Sequence, residues 1–366
     1  MYGVTMLPAA HGDSLLIEYG QAEAPRRVLI DGGPASTYDT LKSTLGLAPK
    51  LELLVVSHVD GDHIEGIVKL LGDINMTKNI GEIWFNAWKH LPANPRDQLG
   101  PVQGEYLSAL IQERKLRWNT KFDGNAIQTP EDGELPCVTL PGGMELTILS
   151  PTPAQLLKLR RVWAREVAKA GLDPDNPQAA LSKLEQDKRL RPSDALGSDT
   201  LDLDALAATP FDPGLTDANC SSIAFLAEYQ CSGSGKKVGC LFLADADAEV
   251  IKQSLRRLCK QRGVSAIEVE AVKVSHHGSK NNTSLELLKY IKSSKFLVST
   301  NGATFKHPDH PTIARIIRGG GDTPTILFNY RSKFNEVWSD RDIQRREKYT
   351  AFYQDNQIHG ARIELC

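Results

Sequence analysis

Two imidazoles and two carboxylates crowd into six positions where an apolar run stops. Residues 51–66 read LELLVVSHVDGDHIEG, and Leu53-Leu54-Val55-Val56 gives way at Ser57 to His58, Asp60, Asp62 and His63. Side chains this dense would repel or stay unsatisfied without a cation among them. Imidazole with carboxylate is a borderline donor set suited to Zn2+, Mn2+ or Fe. A second imidazole pair, His276-His277, stands before Gly278-Ser279 at the end of an alternating run. A carboxylate, Asp245, ends the apolar run Leu241-Phe242-Leu243 and is placed to bridge two cations. Asp247 competes for that role but fits better as the N-cap of a following helix. Asn301, Lys306 and His307 close a third such strand end, where Lys306 adds charge against phosphate and His307 offers a substrate contact or an acid.

The elements that must position these groups are legible as strands that end in polar turns. Leu53–Val56 is short and apolar with polar flanks, so it reads as a buried strand, and Ile64, Ile67, Val68 and Leu71 continue with helical spacing. Leu15–Gly20 and Arg27–Ile30 read as strands, the first preceded by His11-Gly12-Asp13-Ser14 and the second ending in Asp31-Gly32-Gly33. Further strands are expected at 82–86, 144–149, 268–275, 295–300, 325–330 and 360–365, with a hairpin over 220–243 around the Ser232–Gly235 turn. Helices are expected at 105–118, 248–259, 284–291 and from Pro311, a favoured first helical position. Two stretches depart from this pattern. Residues 90–135 are polar, and residues 154–216 combine a basic helix (154–170), a charged helix near 178–190 and a stretch of low hydrophobicity. The first reads as a smaller polar insertion and the second as a helical and loop insertion, either a solvated face or a phosphate-binding one; loops of this length are commonly functional lids or disordered.

His58-x-Asp60-x-Asp62-His63 resembles the HxHxDH signature of the metallo-β-lactamase fold, with Asp60 in place of the middle histidine. In the form SHxDxDHxxG it resembles the metallo-hydrolase domain of ComEC-type DNA-uptake proteins. GDSLLI, LIDGG, the strand followed by Ser150-Pro151-Thr152, HHGS, the Asn301–Pro308 segment and the terminal GARIEL are similar to further motifs of that group. The resemblance covers nearly all the core motifs outside the insertion. It implies an α/β (α+β) chain, one domain over 1–366, folded as a four-layer αββα sandwich of two mixed sheets flanked by helices. It implies two divalent metal ions, Mn2+ or Zn2+ with Mg2+ possible. One position takes His58 and Asp60, the other Asp62, His63 and His277, and Asp245 bridges them. His276 and His307 then assist the leaving group, and Asp62 is the residue whose loss should silence the site. Asp31, and with it Asp13, supports the ligating imidazoles. The histidine that the fold usually supplies near residue 220 is missing, and Asn219 or Asp217 stands there. That absence, with Asp60, makes the first position richer in oxygen and shifts the expectation from Zn2+ toward Mn2+.

Bulk properties set the outer bounds. The 366 residues, 41% hydrophobic and 24% charged, suit a globular chain with a large core. A net charge of −2 advertises no global basic field for nucleic acid, though a local groove remains open. No run reaches transmembrane length, so no membrane partner is expected. Six cysteines without a CxxC pair read as reduced thiols of a cytoplasmic protein, a Cys231–Cys240 hairpin disulfide being the minor alternative. No P-loop, dinucleotide fingerprint or serine or cysteine nucleophile motif is present. The leading expectation is a binuclear phosphodiesterase or nuclease acting on DNA. The alternatives are a metallo-hydrolase of a small phosphodiester, phosphocholine ester, lactone or thioester, and a non-catalytic binding protein that kept the fold. A regulatory protein acting on the insertion would modify the first.

Overall fold

The structure, a computed structural model, describes residues 1–92, 102–169, 176–184, 203–212, 215–231, 235–354 and 360–366. Two mixed sheets face each other. The first orders its six strands as Ala361–Glu364, Tyr2–Met6, Leu15–Gln21, Ala24–Ile30, Leu53–Val55 and Ile83–Trp84. Its first four strands pair antiparallel and the last three parallel. The second orders eight strands: Thr350–Tyr353, Thr325–Phe328, Lys295–Val298, Ala271–Lys273, Lys237–Phe242, Ala224–Gln230, Glu145–Ser150 and Cys137–Thr139. Here the first five run parallel and the remainder antiparallel.

Side-chain alternation explains the layers. Ile17, Val28 and Val55 point inward, where they join Leu146, Ile148, Phe225 and Phe242 of the other sheet in one core. Their neighbours Leu16, Leu29 and Leu54 point outward, onto a helical layer with Ile64, Ile67, Leu107, Leu110 and Trp163. On the far side Leu226, Leu241, Val272 and Phe296 pack against Ile251, Leu255, Ile313 and Ile316. Central strands covered on both faces read as continuous apolar runs, which is why they stand out in the sequence. The result is the αββα sandwich. Among the described residues, no helix is long and apolar enough to cross a membrane.

Several elements differ from expectation. The alternating 268–275 run is broken into Ile267–Glu268 and Ala271–Lys273, because Ile267–Glu268 leaves the main sheet to pair with Ile291–Lys292. That pairing also cuts the expected 284–291 helix to Leu285–Leu288. The stretch of low hydrophobicity contains a helix, Leu203–Ala207, whose Leu203 and Ala207 are buried in the second helical layer. Buried Arg315 ties it down by donating to the carbonyls of Thr209, Lys280 and Thr283 at 2.6–2.8 Å. The polar 90–135 region holds Val102–Glu113, whose Tyr106, Leu107 and Leu110 are core residues. In the basic helix Pro153–Lys169, Leu156, Leu159 and Trp163 are buried, and Arg160 stacks on Trp88 at 3.8 Å. The charged helix is described as Pro177–Leu184; its expected remainder, 185–190, lies outside the described residues.

The cysteines require a correction. Cys231 and Cys366 form a disulfide across 135 residues, with Cα atoms 6.3 Å apart. Cys231 follows a strand of one sheet and Cys366 follows the edge strand of the other, so only closure of the sandwich brings them together. Cys240 cannot serve as the partner across the hairpin, because it stands opposite Ala227 and is buried.

An ion pair between the second sheet and the helix Ala248–Arg262 gives a pH-dependent contribution to stability. Arg262 donates to both oxygens of buried Glu228, at 2.8 and 2.6 Å, with Lys237 at 3.6 Å. Burial alone would raise the Glu228 carboxyl, but Arg262 and Lys237 overcome it and hold the group below its usual value of 4.5. A lowered carboxyl stabilises the fold above the unfolded value, and that gain is lost as pH falls through the folded one. Glu228→Gln should therefore cost about 1–3 kcal/mol at pH 7. The difference from the native chain should shrink below about pH 4.5. Urea unfolding at both pH values checks this, and a difference independent of pH would refute it.

Candidate metal centre

Every element that carries chemistry reaches the same edge of the sandwich. His58 follows Leu53–Val55, and Asp62 and His63 occupy the first turn of Gly61–Gly72. Asp245 follows Lys237–Phe242, His276-His277 follow Ala271–Lys273, and 299–307 follow Lys295–Val298. These strands are parallel where they deliver these groups, and carboxyl ends of parallel strands are where open α/β sheets place their sites. The delivering turns are strained. Asp31, Ala244, His276 and His277 have φ of 59°, 45°, 48° and 53°, a left-handed conformation that costs non-glycine residues about 1–2 kcal/mol each. Glycine is needed where the backbones meet, since a Cβ on Gly12 would stand 1.9 Å from the Asp62 carbonyl oxygen.

The donor atoms face one another at 3.3–3.9 Å, most of them too far apart for good hydrogen bonds. His63 Nε2 lies 3.3 Å from His277 Nε2, 3.5 Å from Asp245 Oδ1 and 3.9 Å from Asp62 Oδ2. His277 Nε2 lies 3.4 Å from Asp62 Oδ2 and 3.9 Å from Asp245 Oδ1. The other oxygen of Asp245 looks toward a second set. Its Oδ2 is 3.9 Å from His58 Nε2 and 3.5 Å from His276 Nε2, and His58 Nε2 is 3.7 Å from Asp60 Oδ2. His58 Nε2 and Asp245 Oδ1 are buried without a hydrogen-bond partner. Donors held at about 2.0–2.1 Å around a tetrahedral cation stand about 3.4 Å from one another. The spacing, the orphaned atoms and the nitrogen–oxygen donor set all fit divalent metal.

The groups behind the donors fix their orientation. Asp31 accepts from the Ser57 amide at 2.7 Å and its hydroxyl at 2.6 Å, and its Oδ2 takes His63 Nδ1 at 2.9 Å. This leaves His63 Nε2 bare toward the cluster. His277 Nδ1 donates to the Ser299 carbonyl at 2.9 Å, which bares its Nε2 in the same way. His276 Nδ1 donates to Asn282 Oδ1 at 2.9 Å, while the Asn282 amide donates to the carbonyls of Asp245 and Ala246 at 3.0 Å. Asp13, His63, Asp245 and His277 each offer a buried donor atom within 4.8 Å of the others. Asp13 is better read as support, because its Oδ1 faces His277 Nδ1 at 3.5 Å, on the far side of the ring, and its Oδ2 pairs with buried Lys273 at 2.7 Å.

The electrostatics follow from this packing. Burial would lower His63 and His277, but the carboxylates around them win. Asp245, Asp62 and Asp31 raise His63 well above its usual value, and Asp13 and Asp245 lift His277 to about 10. The imidazoles in turn hold the Asp62 and Asp245 carboxyls well below the usual range, against burial. Burial lowers His276, against the opposing pull of Asp245.

The remaining candidates occupy the rim. Asn219 is buried, accepts from the Thr216 hydroxyl, and places its amide 3.2 Å from His276 Nε2. His307 meets His276 ring to ring at 5.5 Å, with its Nδ1 3.6 Å from Asp309 Oδ1. The Asn301 side chain is used within its own turn, accepting from the Ala303 amide, and Lys306 is exposed. Asp217 begins the short helix Asp217–Cys220, and Asp247 caps the next helix by accepting from the Glu249 amide. Ser57, Lys273, Asn282 and Ser299 take part without having been singled out in the sequence. All four lie in or beside the motifs, but single polar residues there give no periodic signal.

Removing the support under His63 should weaken the site without emptying it. Asp31→Asn should lower metal affinity about 10–100-fold, the usual effect of losing a carboxylate behind a ligating imidazole. Competitive titration against a fluorescent chelator reads this, and unchanged affinity would show that Asp31 merely fills space.

No family model matches the sequence, and no curated protein does. Ten solved chains resemble the fold. One is a diphosphatase from the PhnP family, at 10% identity and a TM-score of 0.40, covering 100% of this chain and 99% of that one. Another is the short form of human tRNase Z (ELAC1), at 11% identity and a TM-score of 0.36, with the same coverage. What the chain itself displays is a four-layer αββα sandwich of two mixed sheets, with a buried Asp/His cluster at the edge where its parallel strands end.

Proposed function

We propose that the protein is a metal-dependent phosphodiester hydrolase with two divalent ions, Zn2+ or Mn2+, and that its substrate is DNA. One observation carries the reading: the two oxygens of Asp245 face two separate donor sets, as those of a carboxylate shared by two cations would. Asp62, His63 and His277 complete the first set. His58 and Asp60 belong to the second, and His276 joins them through Nε2 in place of the Asn219 amide. Two such ions supply positive charge against phosphoryl oxygens and acidify water, which suits in-line displacement at phosphorus. The chain's own residues do the rest. Asp31 and Ser299 hold the imidazoles of His63 and His277 with Nε2 inward, and Asn282 holds His276. His307, beside Asp309, is placed to give a proton to the departing oxygen. Lys306 contributes charge at the rim.

DNA as substrate rests on the motif resemblance, and a regulatory partner at 154–216 and a cytoplasmic setting belong to the same reading. The test is incubation with Mn2+, Zn2+ or Mg2+ and labelled single- or double-stranded DNA, with bis-p-nitrophenyl phosphate alongside and Asp62→Ala as the blank. Cleavage of both substrates supports the reading. Turnover of the small phosphodiester alone moves the substrate to a small molecule, and turnover of neither with any metal overturns the hydrolase.

A further inference from the structure

Four rings form a continuous arc across the mouth of the donor cluster. His11 meets Phe305 edge-on with centroids 5.9 Å apart, Phe305 stacks beside His307 at 6.3 Å and 27°, and His307 meets His276 at 5.5 Å. Both ends of the arc lie beside the donor cluster. His276 faces Asp245, and His11 precedes the glycine that packs against the Asp62 backbone. Phe305, between them, is 50% exposed.

Its loop is built to hold it there. The Gly302 amide donates to Thr300 Oγ1, the Ala303 amide to Asn301 Oδ1 and the Lys306 amide to the Gly302 carbonyl, at 2.9–3.0 Å. The Asn301 amide donates to the Ala10 carbonyl at 2.8 Å, which ties this loop to the one carrying His11. A phenyl ring fixed in water beside reactive groups gains when an apolar group covers it, and gains most from another aromatic ring. The two flanking imidazoles could meet polar edges of such a group, which a purely aliphatic ligand would not use.

We propose that Phe305, flanked by His11 and His307, is a stacking platform for a planar heteroaromatic ring carried next to the scissile phosphate, as a nucleotide carries its base. The proposal rests on the phosphodiester reading and adds to it a base-stacking subsite at a named residue. A stacking face tolerates any base, so the platform confers a preference for nucleotides without sequence preference.

The test compares two substrates that share a leaving group, thymidine 5′-(p-nitrophenyl) phosphate and methyl p-nitrophenyl phosphate. The ratio of their kcat/KM values should favour the nucleoside and fall about tenfold in Phe305→Ala, with recovery in Phe305→Trp, as base stacking on an aromatic side chain predicts. A ratio unaltered by Phe305→Ala overturns the platform while leaving the hydrolase standing. A binding measurement separates the two ideas if neither substrate turns over. Thymidine 5′-monophosphate, titrated into Zn2+-loaded Phe305→Trp, should change its emission saturably beyond the change in the native chain. Ribose 5-phosphate should not. An indole at 305 that does not respond to the nucleotide overturns the platform whether or not the protein is an enzyme.

Discussion

Asp245→Ala should lower phosphodiester hydrolysis by at least about 10³-fold, more than any other single change among the donors, because it removes a group shared by both sets. Its oxygens stand 3.5 Å from His63 and 3.5 Å from His276 on opposite sides. No other carboxylate in the described residues is placed between the two sets. The expected result is a fall from two bound ions per chain to at most one, read by elemental analysis after dialysis. Its Tm should still show a folded protein, since removing a buried carboxylate from a crowded cluster also relieves like-charge repulsion with Asp62. Asp60→Ala tests the asymmetry, because the Asp60 carboxylate is 39% exposed while that of Asp62 is 11% exposed. The more open ligand should cost the second ion and leave the first. Two ions retained in Asp245→Ala would sink the bridging role.

Metal removal should have the second large effect, on stability. A ligand that binds only the folded chain stabilises it by about 4 kcal/mol at a thousandfold excess over Kd. For a chain of this length that is a rise in Tm of about 5 °C. In the metal-free protein the carboxylates around His63 and His277 raise both imidazoles, so protons compete with a metal for the Nε2 atoms, which must be bare to ligate. Binding therefore expels protons, and affinity should climb with pH. Scanning calorimetry in EDTA and with Zn2+ or Mn2+, at pH 6 and pH 8, should show a larger metal-dependent shift at pH 8. Absence of any shift at either pH would mean that the cluster holds no metal.

Much of the site was legible in the sequence because its chemistry is local. His58, Asp60, Asp62 and His63 share one strand end and one helix turn, and the strand reads clearly because both its faces are buried. Asp245, His276 and His277 stand out for the same reason. What stayed hidden depends on contacts between distant residues. Lys273 reads as one polar position in an alternating strand, yet it is buried on Asp13, 260 residues away. Leu203–Ala207 reads as a polar stretch, yet its few apolar residues find a core and Arg315 finds its carbonyls. The strand at 267–268 and the short helix at 285–288 were misread, since a small parallel pairing overrode the local pattern.

The sequence by itself determined which imidazoles and carboxylates make up the candidate site, that they sit at strand ends, and that Asp60 stands where the resembled signature has a histidine. Against that signature it lacks a histidine near residue 220. Only the tertiary structure decided which side chain faces that side of Asp245. The left-handed turn at His276-His277 splays two adjacent imidazoles, so that one Nε2 faces Asp62 and the other faces the second oxygen of Asp245. Sequence neighbours ordinarily share one site. Here the backbone strain at that turn parts them between two, and under this reading each position has two imidazoles, which restores Zn2+ alongside Mn2+.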